Sequence, residues 1–380
     1  MPPTAPRLVP EYIERLVPYQ PGKHIAQVRR ELGLDRIIKL ASNENPFGPS
    51  PRALAAAAQA LTEAYRYPDV ACRELRDALT RIYRVKLENT IVGAGSEGIM
   101  ATIVRTFLHG DEEALTSEGT FIGFLVLARS QGIRLRQVPL KDYGYDLEAM
   151  AAALTPNTKI VYLANPNNPT GTLFTRADFE RFYARVPPHV LIIQDEAYHE
   201  FVRPDTTYPD SQLYRYDNVI TLRTCSKAYG LAGLRVGYGL AHESLIEQLL
   251  KVRLPFEPNN VAVAAAIAAL EDREFVARTV ANNRAGLDRF YAGFARLGVP
   301  FVPSCANFVM LELGTPARAQ DLCAGLLARG IIVRPLGAFG LPSCVRVSVG
   351  LPDENEALLE GLAAVLPELA AARAATATAG

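Results

Sequence analysis

The residues best suited to covalent chemistry lie close together in the stretch 221–240, TLRTCSKAYGLAGLRVGYGL. A run of β character ends in Thr224, Cys225, Ser226 and Lys227, and Gly230, Gly233, Gly237 and Gly239 follow with Arg235 among them. A lysine amine forms a Schiff base with an aldehyde, while hydroxyls, backbone N–H groups and an arginine fork suit a phosphate. Pyridoxal phosphate (PLP) carries both groups. A surface Lys–Arg pair on a glycine-rich turn fits this stretch equally well. The decision lies in what the rest of the chain brings to it.

Around this stretch the pattern is strand then helix, repeated. Short β-rich runs at 90–92, 114–116, 133–138, 159–163, 190–194, 219–222 and 235–240 mostly alternate with helical segments. That order predicts a largely parallel sheet covered on both faces, with ligands at the carboxyl ends of its strands. Four of the runs end in chemically useful residues: Gly95, Ser96 and Glu97; NPNNP at 165–169; DEAY at 195–198; and TCSK at 224–227. One site assembled from many strand ends is expected.

Ahead of the sheet, a proline-broken arm reaches residue 40 with a short helix at 25–32. The loop KLASNENPFGPSP follows, then helices at 52–64 and 73–83, the first stopped by Pro68. Beyond residue 240 come a helix, the proline-interrupted LPFEPNN, and a long helical stretch at 261–297 broken near Asp272. Strands at 307–311, 331–334 and 345–349 then alternate with helices at 317–328 and 354–365. The expected division is an N-terminal arm (1–45) packing with the small domain, a large domain (46–260), a small α+β domain (261–370) and a disordered tail (371–380).

Composition narrows the function classes. Lys plus Arg equals Asp plus Glu at 40 each among 380 residues, so nothing favours nucleic acid or an anionic membrane surface. An apolar content of 49% fills the cores of two domains. Residues 1–23 carry prolines and charges where a signal peptide needs an apolar core, so a cytoplasmic location is expected. Cys72, Cys225, Cys305, Cys323 and Cys344 are odd in number and show no metal-binding spacing, which predicts reduced, mostly buried thiols and no metal.

A rival reading comes from Gly93 to Gly98, which spell G-x-G-x-x-G after an apolar strand. They open a helix whose Ile99, Met100, Ile103, Val104, Phe107 and Leu108 recur at helical spacing. Glu118 then stands where a dinucleotide-binding unit keeps its ribose acid. An NAD-dependent dehydrogenase does not explain Asp195 and Tyr198, or Ser226 and Lys227 with Arg235.

With ASNENPFGPSP, YRYPD, GAGSEG, NPNNPTG, DEAYHEF, TCSKAYGLAGLRVG, ANFV and CVRVSVG in one order, the chain resembles the class I/II aminotransferases of PLP fold type I. Within them it is most similar to the histidinol-phosphate aminotransferase family, particularly through PYQPGKHIAQVRRELGLDRIIKLASNENPFGPSP. The resemblance implies that Lys227 bears the cofactor and moves the proton at the substrate Cα. It implies that Asp195 pairs with the ring nitrogen, and that Tyr198 and Asn168 hydrogen-bond the ring oxygen. Phe121 would stack on the ring. Read alone, Asp195 is also a helix cap and Phe121 a core residue.

The phosphate would be held by N–H groups of Gly95, Ser96 and Glu97, by Thr224 and Ser226, and by Arg235. Tyr67 would reach the partner subunit's cofactor in a homodimer with shared sites; read alone, it packs before Pro68. Arg346 would clamp the substrate α-carboxylate, with Asn43 beside it and Tyr19 near the distal group. Arg334 is a candidate for a substrate phosphate by position. EGTF replaces the more usual Pro-Thr-Tyr or Pro-Thr-Phe turn and Cys225 a more usual Phe, changes that alter the pocket wall and not the chemistry. The reactions implied are amino transfer from histidinol phosphate to 2-oxoglutarate, amino transfer from an aromatic amino acid, or decarboxylation or oxidation on the same scaffold. A PLP-binding regulatory module needs a basic helix-turn-helix ahead of the domain, for which the arm is too short.

Overall fold

The computed structural model describes residues 8–18, 22–204, 206–210 and 216–378. Helices α1 (Glu11–Glu14) and α2 (Ile25–Leu32) precede strand β1 (Ile38–Lys39), and α3 (Pro51–Leu61) and α4 (Arg73–Tyr83) follow. Ser50 caps α3 by accepting from the Ala53 N–H at 3.1 Å, and Pro51 stands at a first-turn position where its missing N–H costs nothing.

The alternating region comprises β2 (Thr90–Gly93), α5 (Gly95–Phe107), β3 (Glu113–Ser117), α6 (Ile122–Ser130), β4 (Arg134–Val138), α7 (Leu147–Ala152), β5 (Thr158–Ala164), α8 (Arg176–Tyr183), β6 (Leu191–Asp195), β7 (Val219–Thr224), β8 (Gly237–Leu240) and α9 (Glu243–Val252). Its seven strands form one sheet in the order β2-β8-β7-β6-β5-β3-β4. Every pairing is parallel except those of β8, which runs antiparallel between β2 and β7. The strand expected at 235–240 starts two residues late, because Arg235 adopts a left-handed φ of 55° and leaves the ladder.

Side-chain alternation sets the layers. Ile160, Tyr162 and Ala164 face an apolar layer with Ile99, Ile103 and Phe124, while Val161 and Leu163 face the opposite one with Phe179 and Phe182. Both faces of β5 are buried, which is why it reads as one continuous apolar run.

The rest comprises α10 (Asn260–Glu271), α11 (Arg273–Arg296), β9 (Phe301–Val302), β10 (Phe308–Glu312), α12 (Pro316–Ala328), β11 (Ile331–Ile332), β12 (Arg334–Pro335), β13 (Cys344–Ser348) and α13 (Pro352–Thr378). Asp272 makes the break between α10 and α11 and caps the latter, accepting from the Phe275 N–H at 3.2 Å. An antiparallel sheet runs β12-β13-β10-β9, and β1 of the arm pairs in parallel with β11. Leu40 thereby joins Phe290, Val309, Val345 and Leu358 in one core.

One expectation needs correction. The strand expected at 331–334 is split between β11 and β12, which serve different sheets. Residues 379–380 lie outside the described chain.

Candidate active site

The carboxyl ends of the parallel strands open on one cavity of about 150 Å³. Ser96, Glu97, Phe121, Asn168, Asp195, Tyr198, Thr224, Ser226, Lys227 and Arg235 all line it, with Ala164, Pro166, Ala197 and Ala232 completing the wall. Five strand ends contribute, because parallel strands all deliver their last residues to the same edge of the sheet.

One end of the cavity is built for an anion. Helix α5 begins at Gly95 with no side chain capping its first turn, so the N–H groups of that turn face the cavity end with the helix dipole behind them. Gly95 has a φ of 74°, and a Cβ there would stand 2.8 Å from Nη2 of Arg235. A Cβ at Gly237 would lie 2.4 Å from the Ser96 nitrogen. Bare backbone at these two positions lets β8 and Arg235 close against the helix start. Thr224 Oγ1 donates to Ser226 Oγ at 2.9 Å, and Arg235 Nη1 approaches the same oxygen at 3.5 Å. Glu97 Oε2 lies 3.8 Å from Arg235 Nη2. Guanidinium, hydroxyls and helix N–H groups together fit a phosphate monoester.

The middle of the cavity holds the lysine and the aspartate. Lys227 Nζ donates to the Ser42 carbonyl at 3.2 Å and lies 5.8 Å from the Tyr198 ring centroid. Burial, aided by the Arg346 charge, pulls its amine down to about 8, so roughly a tenth to a fifth of it is neutral and nucleophilic near physiological pH, far more than for a free lysine. Asp195, last residue of β6 and 5% exposed, accepts from the Tyr162 hydroxyl at 2.7 Å and from the Ala197 N–H at 3.2 Å. Burial raises its carboxyl to about 6 against those two donors, with the Glu196 charge raising it further. Phe121 stands just before α6 and offers a ring to the cavity.

The arm and the second unit supply residues that bond two of the cavity-lining side chains, Tyr198 and Asn168. Asn43, at a left-handed φ of 55° that asparagine tolerates, donates from Nδ2 to the Tyr198 hydroxyl oxygen at 2.9 Å. That leaves the tyrosine proton for an acceptor in the cavity. Ser348 holds Asn43 twice, accepting from its N–H and donating to its Oδ1, both at 2.8 Å. Arg346 donates from Nη1 to Asn168 Oδ1 and from Nη2 to the Ala41 carbonyl at 2.8 Å, which leaves the Asn168 amide N–H groups out of this pair. Its guanidinium carbon lies 5.2 Å from the Phe308 ring centroid and 5.8 Å from that of Phe339. Arg334 is its directly opposed partner across β12 and β13 and lies 5.7 Å from the same Phe339 ring.

Among the described residues, Tyr67 and Glu118 lie outside this cluster. Tyr67 is 80% exposed and stacks on Phe256 at 4.5 Å, away from its own chain's cavity. Tyr19 lies outside the described residues. Glu118 is exposed at the end of β3 and does not line the cavity. Ser42, Tyr162, Phe308, Phe339 and Ser348 were not singled out from the sequence. Tyr162 carried one signal, a hydroxyl inside the otherwise apolar run IVYLA.

Comparison with known proteins agrees with this geometry. Residues 35–362 match the family model of aminotransferase class I and II, and the chain belongs to that family. It is 44% identical over 367 residues to histidinol-phosphate aminotransferase 2 of Ralstonia nicotianae, covering 96% of this chain and 98% of that protein. It is also 44% identical over 360 residues to histidinol-phosphate aminotransferase of Methylobacillus flagellatus, covering 94% and 97%. Histidinol-phosphate aminotransferase from Sinorhizobium meliloti, solved in complex with pyridoxal-5'-phosphate, matches with a TM-score of 0.88 and 32% identity over 96% of this chain and 99% of that one.

Aspartate aminotransferase from Thermus thermophilus, solved with maleate, shares the fold at a TM-score of 0.81 and 23% identity, covering 95% of this chain and all (100%) of that one. The chain is a PLP-dependent transaminase of fold type I acting on small molecules. The dinucleotide reading of Gly93 to Gly98 is thereby overturned. No helix among the described residues is long and apolar enough to cross a membrane.

Proposed function

We propose that this enzyme moves the amino group of histidinol phosphate to 2-oxoglutarate. The observation that supports the substrate is the opposed pair Arg334 and Arg346, two buried arginines directly across β12 and β13 whose guanidinium carbons lie 5.7 and 5.8 Å from the Phe339 ring centroid. Two adjacent cations suit a phosphate monoester, with a charge of about −2, better than a lone carboxylate. Relatives at 44% identity that bear the histidinol-phosphate name support the same reading.

When bound, PLP supplies an electron sink for the carbanion formed at the amine-bearing carbon. Lys227 would anchor the cofactor through its aldehyde and would carry the proton to and from that carbon. Asp195 would pair with the ring nitrogen and favour its protonated form, Tyr198 and Asn168 would donate to the ring oxygen, and Phe121 would pack on the ring. The N–H groups of Gly95, Ser96 and Glu97, with Thr224, Ser226 and Arg235, hold the phosphate. Arg346, steadied by Asn168 and Ala41, receives the anionic group of each substrate in turn, and Asn43 shapes that wall. Arg334 adds the second charge that a phosphate needs.

Exposed Leu54, Leu61, Tyr65, Tyr67, Leu254 and Phe256 support a homodimer in which Tyr67 reaches the partner subunit's cofactor phosphate. A cytoplasmic role in amino-acid biosynthesis fits this chemistry. The test follows the visible absorbance of the PLP-loaded protein as single donors are added. Rapid bleaching by histidinol phosphate, at least about a hundredfold faster per mole than by phenylalanine, tyrosine or glutamate, is expected. Faster bleaching by an aromatic amino acid would move the substrate, and a persistent coloured species would move the reaction to decarboxylation or oxidation.

A further inference from the structure

Behind the cavity, one hydroxyl touches the catalytic carboxylate from a position that no motif marks. We infer that Tyr162 is a positioning residue for Asp195, fixing which carboxylate oxygen faces the cavity and keeping the proton of the carboxylate–ring pair on the ring nitrogen. This rests on the proposed placement of Asp195 opposite that nitrogen.

Tyr162 lies inside β5 with no exposed surface, and its ring stacks on Phe124 with centroids 4.3 Å apart and planes 8° apart. That stack leaves the ring little freedom to turn, so its hydroxyl is delivered to one point. The point is Oδ2 of Asp195, at 2.7 Å across the β5–β6 pairing that sets Ala164 beside Asp195. With the Ala197 N–H on Oδ1, the carboxylate is held from both sides.

Electrostatics give the contact a direction. Burial holds Tyr162 far above the ordinary tyrosine range, so it stays a neutral donor. Each donor to the carboxylate makes it a weaker base, and a proton shared with a ring nitrogen then stays on the nitrogen. The other groups facing Asp195 act in both directions: Glu196 raises its affinity for a proton and Lys227 lowers it. Tyr145, a half-buried tyrosine of the same region that does not bond Asp195, has its hydroxyl 2.5 Å from Thr120 Oγ1 and accepts from the Ala164 N–H at 3.1 Å. It therefore serves as a matched control.

The test uses Tyr162→Phe, which keeps the stack and removes one oxygen, in the PLP-loaded protein. The pH midpoint at which the yellow chromophore titrates should rise by about one unit, because a less protonated ring nitrogen leaves the linkage to Lys227 more basic. On the cofactor-free protein the PLP dissociation constant should rise about three- to tenfold. kcat should fall about tenfold or more with KM for the amino donor little changed. Tyr145→Phe should leave the chromophore midpoint at its wild-type value. A wild-type midpoint in Tyr162→Phe, or an equal shift in Tyr145→Phe, would overturn the inference. Asp195→Asn separates the two levels: if it too leaves the midpoint unmoved, the placement of Asp195 fails, and if it alone moves the midpoint, only the role of Tyr162 fails.

Discussion

The two walls of the cavity are built in different ways. The cofactor wall comes from consecutive strand ends of one sheet, between Gly95 and Arg235, and each of its motifs is a few residues long. The proposed substrate side draws on the arm, the NPNNP loop and the second unit. Arg346 is tied to Asn168, 178 positions away, and to Ala41, 305 positions away. A wall made of strand ends is fixed once the sheet forms. A wall made of distant segments is fixed only when arm, loop and β13 pack together, and that is where substrate preference is free to vary.

Substitutions on the two walls should therefore fail differently. The largest effect belongs to Lys227→Ala, which should cut turnover by at least about 10⁴-fold for every donor and abolish covalent attachment of PLP, read by absorbance and activity. Retained turnover would erase the chemical distinction between the walls. Next is Arg346→Ala, with kcat/KM lower by about 10²- to 10³-fold for donor and 2-oxoglutarate alike while the cofactor stays bound. Loss of cofactor in that variant would merge the walls.

Arg334→Ala should sharpen the contrast further. It should lower kcat/KM for histidinol phosphate by about 10- to 100-fold and for phenylalanine by less than about threefold. Equal losses would remove Arg334 from the phosphate subsite. Tyr67→Phe should speed cofactor release by about tenfold on dilution, and an unchanged rate would leave the cofactor wall entirely within one chain.

The last prediction is a pH dependence. The Lys227 amine titrates near 8, below the usual lysine range, and only its neutral form attacks an aldehyde. The rate at which cofactor-free protein takes up PLP should rise about tenfold per pH unit below 8 and level off above it. Stopped-flow absorbance reads this directly, and a profile rising smoothly to pH 10 would place Lys227 in water rather than in the cavity.

Much of the first wall was legible because its chemistry is local. TCSK, DEAY and GAGSEG name both the residues and the strand ends that carry them, and the structure gathers all three around one cavity. Strand direction was not legible: residues 237–240 are apolar enough for a parallel strand, yet they return antiparallel because Arg235 turns the chain within the loop. Nor could strands as short as β1 and β9, two residues each, rise above the noise of periodicity.

On the second wall the sequence offered Asn43 and Arg346 through resemblance alone. Ser348, Phe308 and Phe339, which hold them in place, look like ordinary strand and loop residues until β13 is paired. Tyr162 escaped for the same reason. Alternation assigns a buried face and says nothing of the neighbouring strand whose carboxylate the hydroxyl meets.

The central claim is that the chain is organised around one lysine at the end of β7. The direct measurement is to reduce the PLP-loaded protein with borohydride, digest it and locate the fixed pyridoxyl group by mass spectrometry. The account predicts a single modified residue, Lys227, and protection of that residue when histidinol phosphate is present before reduction. Modification of another lysine, with Lys227 free, would contradict it.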